Sequence, residues 1–377
     1  MANTTEKLDK YSDLESILKK ELPINGARIK FIVLLIGSLL KVQDVSYSRL
    51  AEGFDCSAEW SSNMRRIQRF FANFDLSHDL VARLLFKLAP NEPKFGLTLD
   101  RTNWKFGKFN INILMLGVIG EGGSIPLYWK FLVNKCGNSS QNERIELIDN
   151  FIRLFGIDKI AYLVADREFM SRHWSQYLID KKIDFYFRIR ANLVVTLKNG
   201  LKVKASSIFN QLPLKAVLIM RQSVEITGCE VYLTGMKYRD ANGKIEFLVI
   251  ASYQHTKDAM KYYKKRWQIE TLFKAFKTAG FNLESTHLTN YQRLNRLLML
   301  VAITFAWAYK AGIYKNEKVK SIKIKNHGRP EYSFFKYGLK WLAQCFHQMK
   351  VELINLLAKL FECVIKSGQE ITEILKI

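Results

Sequence analysis

Past Pro90 and Pro93 the apolar residues stop recurring every three or four positions and begin to alternate or run together. The order in which they do so constrains the fold more than any other feature of the chain. Three stretches read as strands in succession, 95–100, 111–119 and 125–133. A helix over 142–155 follows, then an apolar strand over 160–165, a helix near 171–182 and a strand around 184–190. The order is β-β-β-α-β-α-β. Strands in hairpin succession pair antiparallel, whereas a strand-helix-strand unit needs a crossover that leaves its two strands parallel. The predicted product is a mixed sheet flanked by helices, with Asp100 at the end of the first strand and Asp166 just after the fourth.

This is the layout of a ribonuclease H-like α/β core, which the sequence assigns to 91–190 and 254–311. A strand-rich block, 191–253, interrupts it as a β insertion subdomain, with strands over 216–220, 224–226, 230–238 and 244–253. The last two are joined across Asp240-Ala241-Asn242-Gly243, a turn sequence suited to positive φ. The N-terminal region, 1–90, is helical in period from Leu8 to Leu88. The C-terminal region, 312–377, is helical again: stretches 294–311 and 338–360 are separated by a Lys-rich linker over 315–325.

The chain has 377 residues, 48% of them hydrophobic, enough to bury a large core. Its 58 Lys and Arg against 35 Asp and Glu give a net charge of +23, which points to a polyanionic partner, double-stranded DNA first. Within 1–90, a short helix over 47–52, a turn over 53–56 and a second helix over 57–74, capped at Ser57, have helix-turn-helix spacing. Arg65, Arg66 and Arg69 cluster on the second helix as candidate DNA contacts; the plainer alternative is an α-hairpin with a solvated basic face. His327 and Arg329 lie in a second basic stretch and are weaker candidates. Cys56, Cys136, Cys229, Cys345 and Cys363 are odd in number and contain no C-x2-C pair, so they read as reduced thiols rather than a disulfide framework or a zinc site. With no apolar segment near Met1, the expected location is the cytoplasm. The apolar runs 31–40 and 297–307 are too short to span a bilayer, and no membrane partner is expected.

A third acid, Glu270, lies in a stretch that reads as one helix, Tyr263-x2-Arg266-x3-Glu270-x6-Lys277. At about 100° per residue, Arg266, Glu270 and Lys277 project within about 60° of Tyr263, while Ile269, Leu272, Phe276 and Ala279 fill the opposite arc. Asp100 sits in Thr98-Leu99-Asp100-Arg101-Thr102-Asn103-Trp104-Lys105, and Asp166 in Val164-Ala165-Asp166-Arg167-Glu168-Phe169. Glu168 stands either as support for the neighbouring acid or as the ion-pair partner of Arg167. Asp100, Asp166 and Glu270 offer hard oxygen ligands suited to Mg²⁺, with Mn²⁺ able to substitute. Two such ions about 4 Å apart are the arrangement that activates an attacking oxygen and stabilises a leaving one. Around them Arg266 suits a phosphate clamp, Lys277 a point charge and Tyr263 a hydrogen-bond donor. The bland alternative for Arg266 and Glu270 is an i,i+4 salt bridge on an exposed helix.

The four-residue string resembles the signature of the DDE transposases of bacterial insertion sequences, specifically the insertion-sequence-four family. The strings around Asp100 and Asp166 are similar to that family's first two catalytic motifs, and His327-Gly328-Arg329 through Tyr337-Gly338-Leu339 is similar to its C-terminal region. The resemblance implies that Asp100, Asp166 and Glu270 bind two Mg²⁺ ions, and that Tyr263, Arg266 and Lys277 contact DNA near the transposon end. It further implies a transposase that binds its terminal inverted repeats, cleaves at the ends and joins 3′-hydroxyls to target DNA as a homodimer. In relatives a tryptophan of the β insertion receives a flipped base. This chain has no tryptophan between Trp174 and Trp267, which leaves Tyr232, Tyr238 or Phe247 for that task. The competing expectations are a purely hydrolytic ribonuclease H-like nuclease and a DNA-binding regulator without catalysis.

Overall fold

The computed structural model describes residues 11–133 and 137–362. Cys136, Cys363, the start of the N-terminal periodicity and the end of the C-terminal region lie outside the described residues. Among the described residues five helices come first: α1 (Ser12–Glu21), α2 (Gly26–Val42), α3 (Tyr47–Glu52), α4 (Trp60–Asn73) and α5 (His78–Lys87). The Asn25 side chain caps α2 by accepting from the Ala27 N–H, and the apolar run 31–40 lies inward. The helix predicted over 57–74 starts at Trp60, and Ser57 does not cap it. Asp55 explains the delay, because it bonds Lys41 at 2.7 Å and Tyr11 at 2.9 Å and so holds the preceding segment as an extended connection. Ile67, Phe70 and Phe71 bury one face of α4, while Arg65, Arg66 and Arg69 are exposed on the other.

The sheet begins with the hairpin of β1 (Phe95–Phe106) and β2 (Phe109–Ile119), followed by β3 (Ser124–Phe131). Asp100 therefore does not end its strand. β1 continues six residues past it, paired as far as Phe106↔Phe109 around Gly107 at φ +54°. The continuation keeps a strand's alternation, Thr102 and Trp104 buried against exposed Asn103 and Lys105, but its polar content hid it. Helix α6 (Gln141–Phe155), held by a Ser140–Glu143 capping box, crosses to β4 (Ile160–Ala165), and α7 (Arg172–Asp180) crosses to β5 (Phe185–Ile189). β4 pairs parallel with β1, and β5 parallel with β4. The spatial order β3-β2-β1-β4-β5 is the ribonuclease H-like core.

The 191–253 block is rich in strands, as its sequence indicates: β6 (Val194–Thr196), β7 (Lys202–Lys204), the one-turn α8 (Ala205–Ile208), β8 (Val217–Ile219), β9 (Val224–Ile226), β10 (Cys229–Arg239) and β11 (Ile245–Ser252). β6 and β7, three residues each, were not read from the sequence, whereas β8 and β9, equally short, were. These strands extend the core sheet. β11 pairs antiparallel with β5, β10 pairs with β11, and among the described residues one eleven-stranded sheet results.

Then come α9 (Ala259–Lys264), α10 (Trp267–Phe276), the long α11 (Tyr291–Lys318), α12 (Phe334–His347) and α13 (Val351–Ala358). The stretch predicted to be helical over 338–360 holds two helices, with a break at Met349, whose φ is +52°. The linker predicted from 315 begins inside a helix, since Lys315 and Lys318 belong to the last turn of α11. Helix α11 is long and apolar enough to cross a membrane by length and composition, but 89% of its apolar window is buried within the protein. Asn295 near its start accepts from Trp129 of β3 at 2.7 Å, and Tyr309 further along donates to Glu121 O in the β2–β3 turn at 2.7 Å. Its last turns line a cavity of about 610 Å³ with Pro90 and Phe95, where β1 starts.

Candidate active site

Parallel pairing of β1 and β4 sets Leu99 opposite Ala165, so the residues that follow, Asp100 within β1 and Asp166 just past β4, stand side by side. The third acid comes from beyond the β block. The string from Tyr263 to Lys277 was expected on one helix, yet α9 stops at Lys264 and α10 starts at Trp267. The joint is a tightened turn, with i→i−3 bonds from Lys265, Arg266, Gln268 and Ile269. Tyr263 and Glu270 thus belong to different helices, with Arg266 at the hinge. Ile269, Leu272 and Phe276 are buried, as the helical projection required.

Two side chains tie the acids together. The guanidinium of Arg266 donates to Asp100 Oδ2 at 3.1 Å and to Glu270 Oε1 at 2.6 Å, and Tyr263 Oη donates to Asp166 Oδ1 at 3.3 Å. The Arg266 and Asp100 side chains are 10% and 17% exposed, whereas Glu270 is 35% exposed, so the Arg266–Glu270 contact is not the surface salt bridge that spacing alone allowed. Burial raises the Asp100 carboxyl to about 6; the Arg101 N–H and the Arg266 charge pull it down, while Asp166 and Glu168 push it up. Burial also raises Tyr263 to about 12, which keeps it a donor at neutral pH. For Arg266 burial opposes the charge, but Glu270, Asp100 and Asp166 outweigh it and hold the guanidinium firmly protonated.

Glu168 does not pair with Arg167. It takes Arg101 in a two-pronged bridge, Nε–Oε1 and Nη2–Oε2 both at 2.6 Å, and Arg101 Nη1 also donates to Gly137 O at 2.8 Å. The bridge locks the turn after β4 to β1 and so fixes the spacing of the two aspartates. Both partners stood next to expected site residues, but sequence does not show which arginine a glutamate will choose. A cleft of about 420 Å³ also went unread: Arg167, Arg188, Arg190 and Phe247 line it beside Asp166. Lys277 is not among the acids. Helix α10 ends at Phe276, and Lys277 Nζ bonds Asn103 O on β1 at 2.8 Å and Glu284 at 3.0 Å. Arg65, Arg66 and Arg69 lie apart from the acids on α4, where Arg66 stacks over Phe31 at 5.1 Å.

By chemistry alone the donors suit a hard divalent ion: three carboxylates, one raised by burial and like-charged neighbours, are what a cation would relieve. Among the described residues no group of three or more His, Cys, Asp or Glu side chains is gathered tightly enough to hold an ion. The acids meet through Arg266 and Tyr263 rather than directly.

Residues 130–307 match the family model described as "Transposase DDE domain". The matched segment carries Asp166, Tyr263, Arg266, Glu270 and Lys277 and supports a DDE transposase; Asp100 precedes it. The chain is also similar to the piggyBac transposase solved by cryo-EM in a synaptic complex with hairpin DNA. The identity is 14%, over 92% of this chain and 78% of that one, with a TM-score of 0.45. No match is found among curated proteins.

Proposed function

We propose that the chain is a DNA transposase of the insertion-sequence-four type, which cleaves at the ends of its element and joins the 3′-hydroxyls to target DNA. The observation that carries this reading is the union of Asp100, Asp166 and Glu270, from three separate elements, through Arg266 and Tyr263. Asp100, Asp166 and Glu270 would hold two Mg²⁺ ions, which supply Lewis-acid activation of the attacking oxygen and stabilisation of the leaving one. Arg266 and Tyr263 fix the acids and meet the phosphates nearest the strand end, while Lys277 holds the β1 extension that borders it. Arg167, Arg188 and Arg190 offer positive charge to the DNA running past Asp166. Phe247, in the same cleft, is the ring best placed to stack on an unpaired base. The arginines of α4 read the terminal repeats, and two protomers hold the two ends.

The test is incubation with Mg²⁺ and duplexes carrying the inverted repeats that flank the gene, followed by sequencing of the products. Joined ends are expected, and Glu270→Gln is expected to lower product formation by at least about a hundredfold with binding retained. Nicked but never joined DNA would mark a hydrolytic nuclease instead, and binding without any cleavage would mark a regulator.

A further inference from the structure

Between Lys318 and Glu331 the chain carries five Lys and Arg against one carboxylate. This segment folds into a minimal antiparallel hairpin. Ile324 bridges Pro330, Lys325 N–H donates to Arg329 O at 3.0 Å, Glu331 N–H donates to Lys323 O at 2.9 Å, and Gly328 turns the tip at φ +76°. Every residue from Lys323 to Pro330 is exposed, and Ile324 is 64% exposed at the centre of the cations. Lys323, Lys325 and Arg329 meet no carboxylate in the salt bridges of the described residues.

The base of the hairpin is fixed while its tip is bare. Ile322 N–H donates to Asn316 Oδ1 at 2.8 Å and Tyr337 Oη to Lys320 O at 2.8 Å. Lys315 lies over the Tyr337 and Trp341 rings, and Lys340 lies 4.0 Å from the centre of the Tyr332 ring. Stapling a hairpin that buries nothing of its own makes sense for a part that must present its charges in one place. That place is remote from the acids. Helix α11 meets β3 at Asn295, at the level of Asp100, passes the start of β1 and ends at Lys318, a run of about 35 Å from Asn295 at helical rise.

We propose that the hairpin 323–331 is a second contact for duplex DNA. Its cations grip the phosphate backbone about ten base pairs from the strand end that the acids hold, given a rise of about 3.4 Å per pair. The choice of DNA as partner rests on the transposase reading; the presentation of the arm does not. The experiment compares the parent with Lys323→Ala, Lys325→Ala and Arg329→Ala combined, on two duplexes sharing one element end, one of about 8 and one of about 30 base pairs, across a salt series. On the long duplex the variant is expected to bind more weakly, and the slope of log affinity against log salt is expected to fall by about 0.9 for each phosphate that is no longer neutralised. On the short duplex the two proteins are expected to bind alike, and their melting temperatures are expected to agree because the side chains are exposed. Equal binding and equal slopes on the long duplex overturn the proposal, as do equal losses on both duplexes or displacement of the long duplex by transfer RNA at matching concentration. Cleavage is scored separately: no cleavage by either protein sinks the phosphoryl-transfer reading and leaves the arm's salt slope to be judged by itself, while a parent that binds no duplex sinks both.

Discussion

Arg101 shows how closely the site depends on the geometry of single side chains. Its planar fork meets both oxygens of Glu168 and still reaches a backbone carbonyl, a match that an ammonium cannot reproduce. Arg101→Lys keeps the charge and loses the two-pronged bond. It is expected to cost about 1 kcal/mol of stability by thermal melting, and to slow strand joining more than binding, because the turn carrying Asp166 loosens against β1. Equal rates for parent and variant at matched folding would remove Arg101 from the positioning of the aspartates. Tyr263 and Arg266 were legible as residues from their spacing. Their partners were not, since hydrogen bonds between groups so distant along the chain depend on where the sheet and the helix joint place them.

At the scale of elements, helices α11 and α12 pack backbone to backbone. A Cβ on Gly338 would run into Ala308 O, and one on Gly312 into Phe334 O. Neither obstacle is a flexible side chain, so the helices must part to admit a methyl. Gly338→Ala is expected to destabilise the protein by about 2 kcal/mol or more, read from the denaturation midpoint, although alanine favours helix intrinsically. Unchanged stability would mean that the two helices do not approach this closely. On α4, Arg65 and Arg69 are exposed one turn apart. Changing both to alanine is expected to weaken binding to the terminal repeats and to lower the salt slope by about 0.9 per phosphate released, with melting unchanged. Retained affinity and slope would favour the plainer α-hairpin with a solvated basic face.

For the molecule as a whole, two buried groups act on stability with opposite sign. His78, wedged between Tyr128 and Trp129, has its imidazole lowered by burial to about 4, so the unfolded chain binds its proton first. Its contribution is present above pH 6.5 and is lost as pH falls through 4. Asp100 is raised by burial to about 6, so the folded chain binds that proton first, and stability is lost as pH climbs from 3.8 through 6. Each effect is worth roughly 3 kcal/mol, and over pH 4 to 6 they largely offset one another. His78→Phe should expose the Asp100 slope, with stability falling as pH rises through that window, and Asp100→Asn should expose the reverse. Denaturant titrations at pH 4.5 and 7 check both, and parallel pH profiles for the two variants would show that neither group carries the shift assigned to it.

By itself the sequence determined what repeats locally. Hydrophobic period dictated the β-β-β-α-β-α-β order, because each strand and helix must turn its own apolar face inward, and the same spacing marked Tyr263, Arg266 and Glu270. Polar composition hid the extension of β1 past Asp100, and β6 and β7 went unread. The tertiary structure alone decided the rest: that the 191–253 strands extend the core sheet, that Arg266 sits between two acids while Glu168 takes Arg101, and that Lys277 leaves the acids for β1. Those outcomes depend on which edges and side chains meet after the chain closes on itself, and such meetings leave no periodic trace along it.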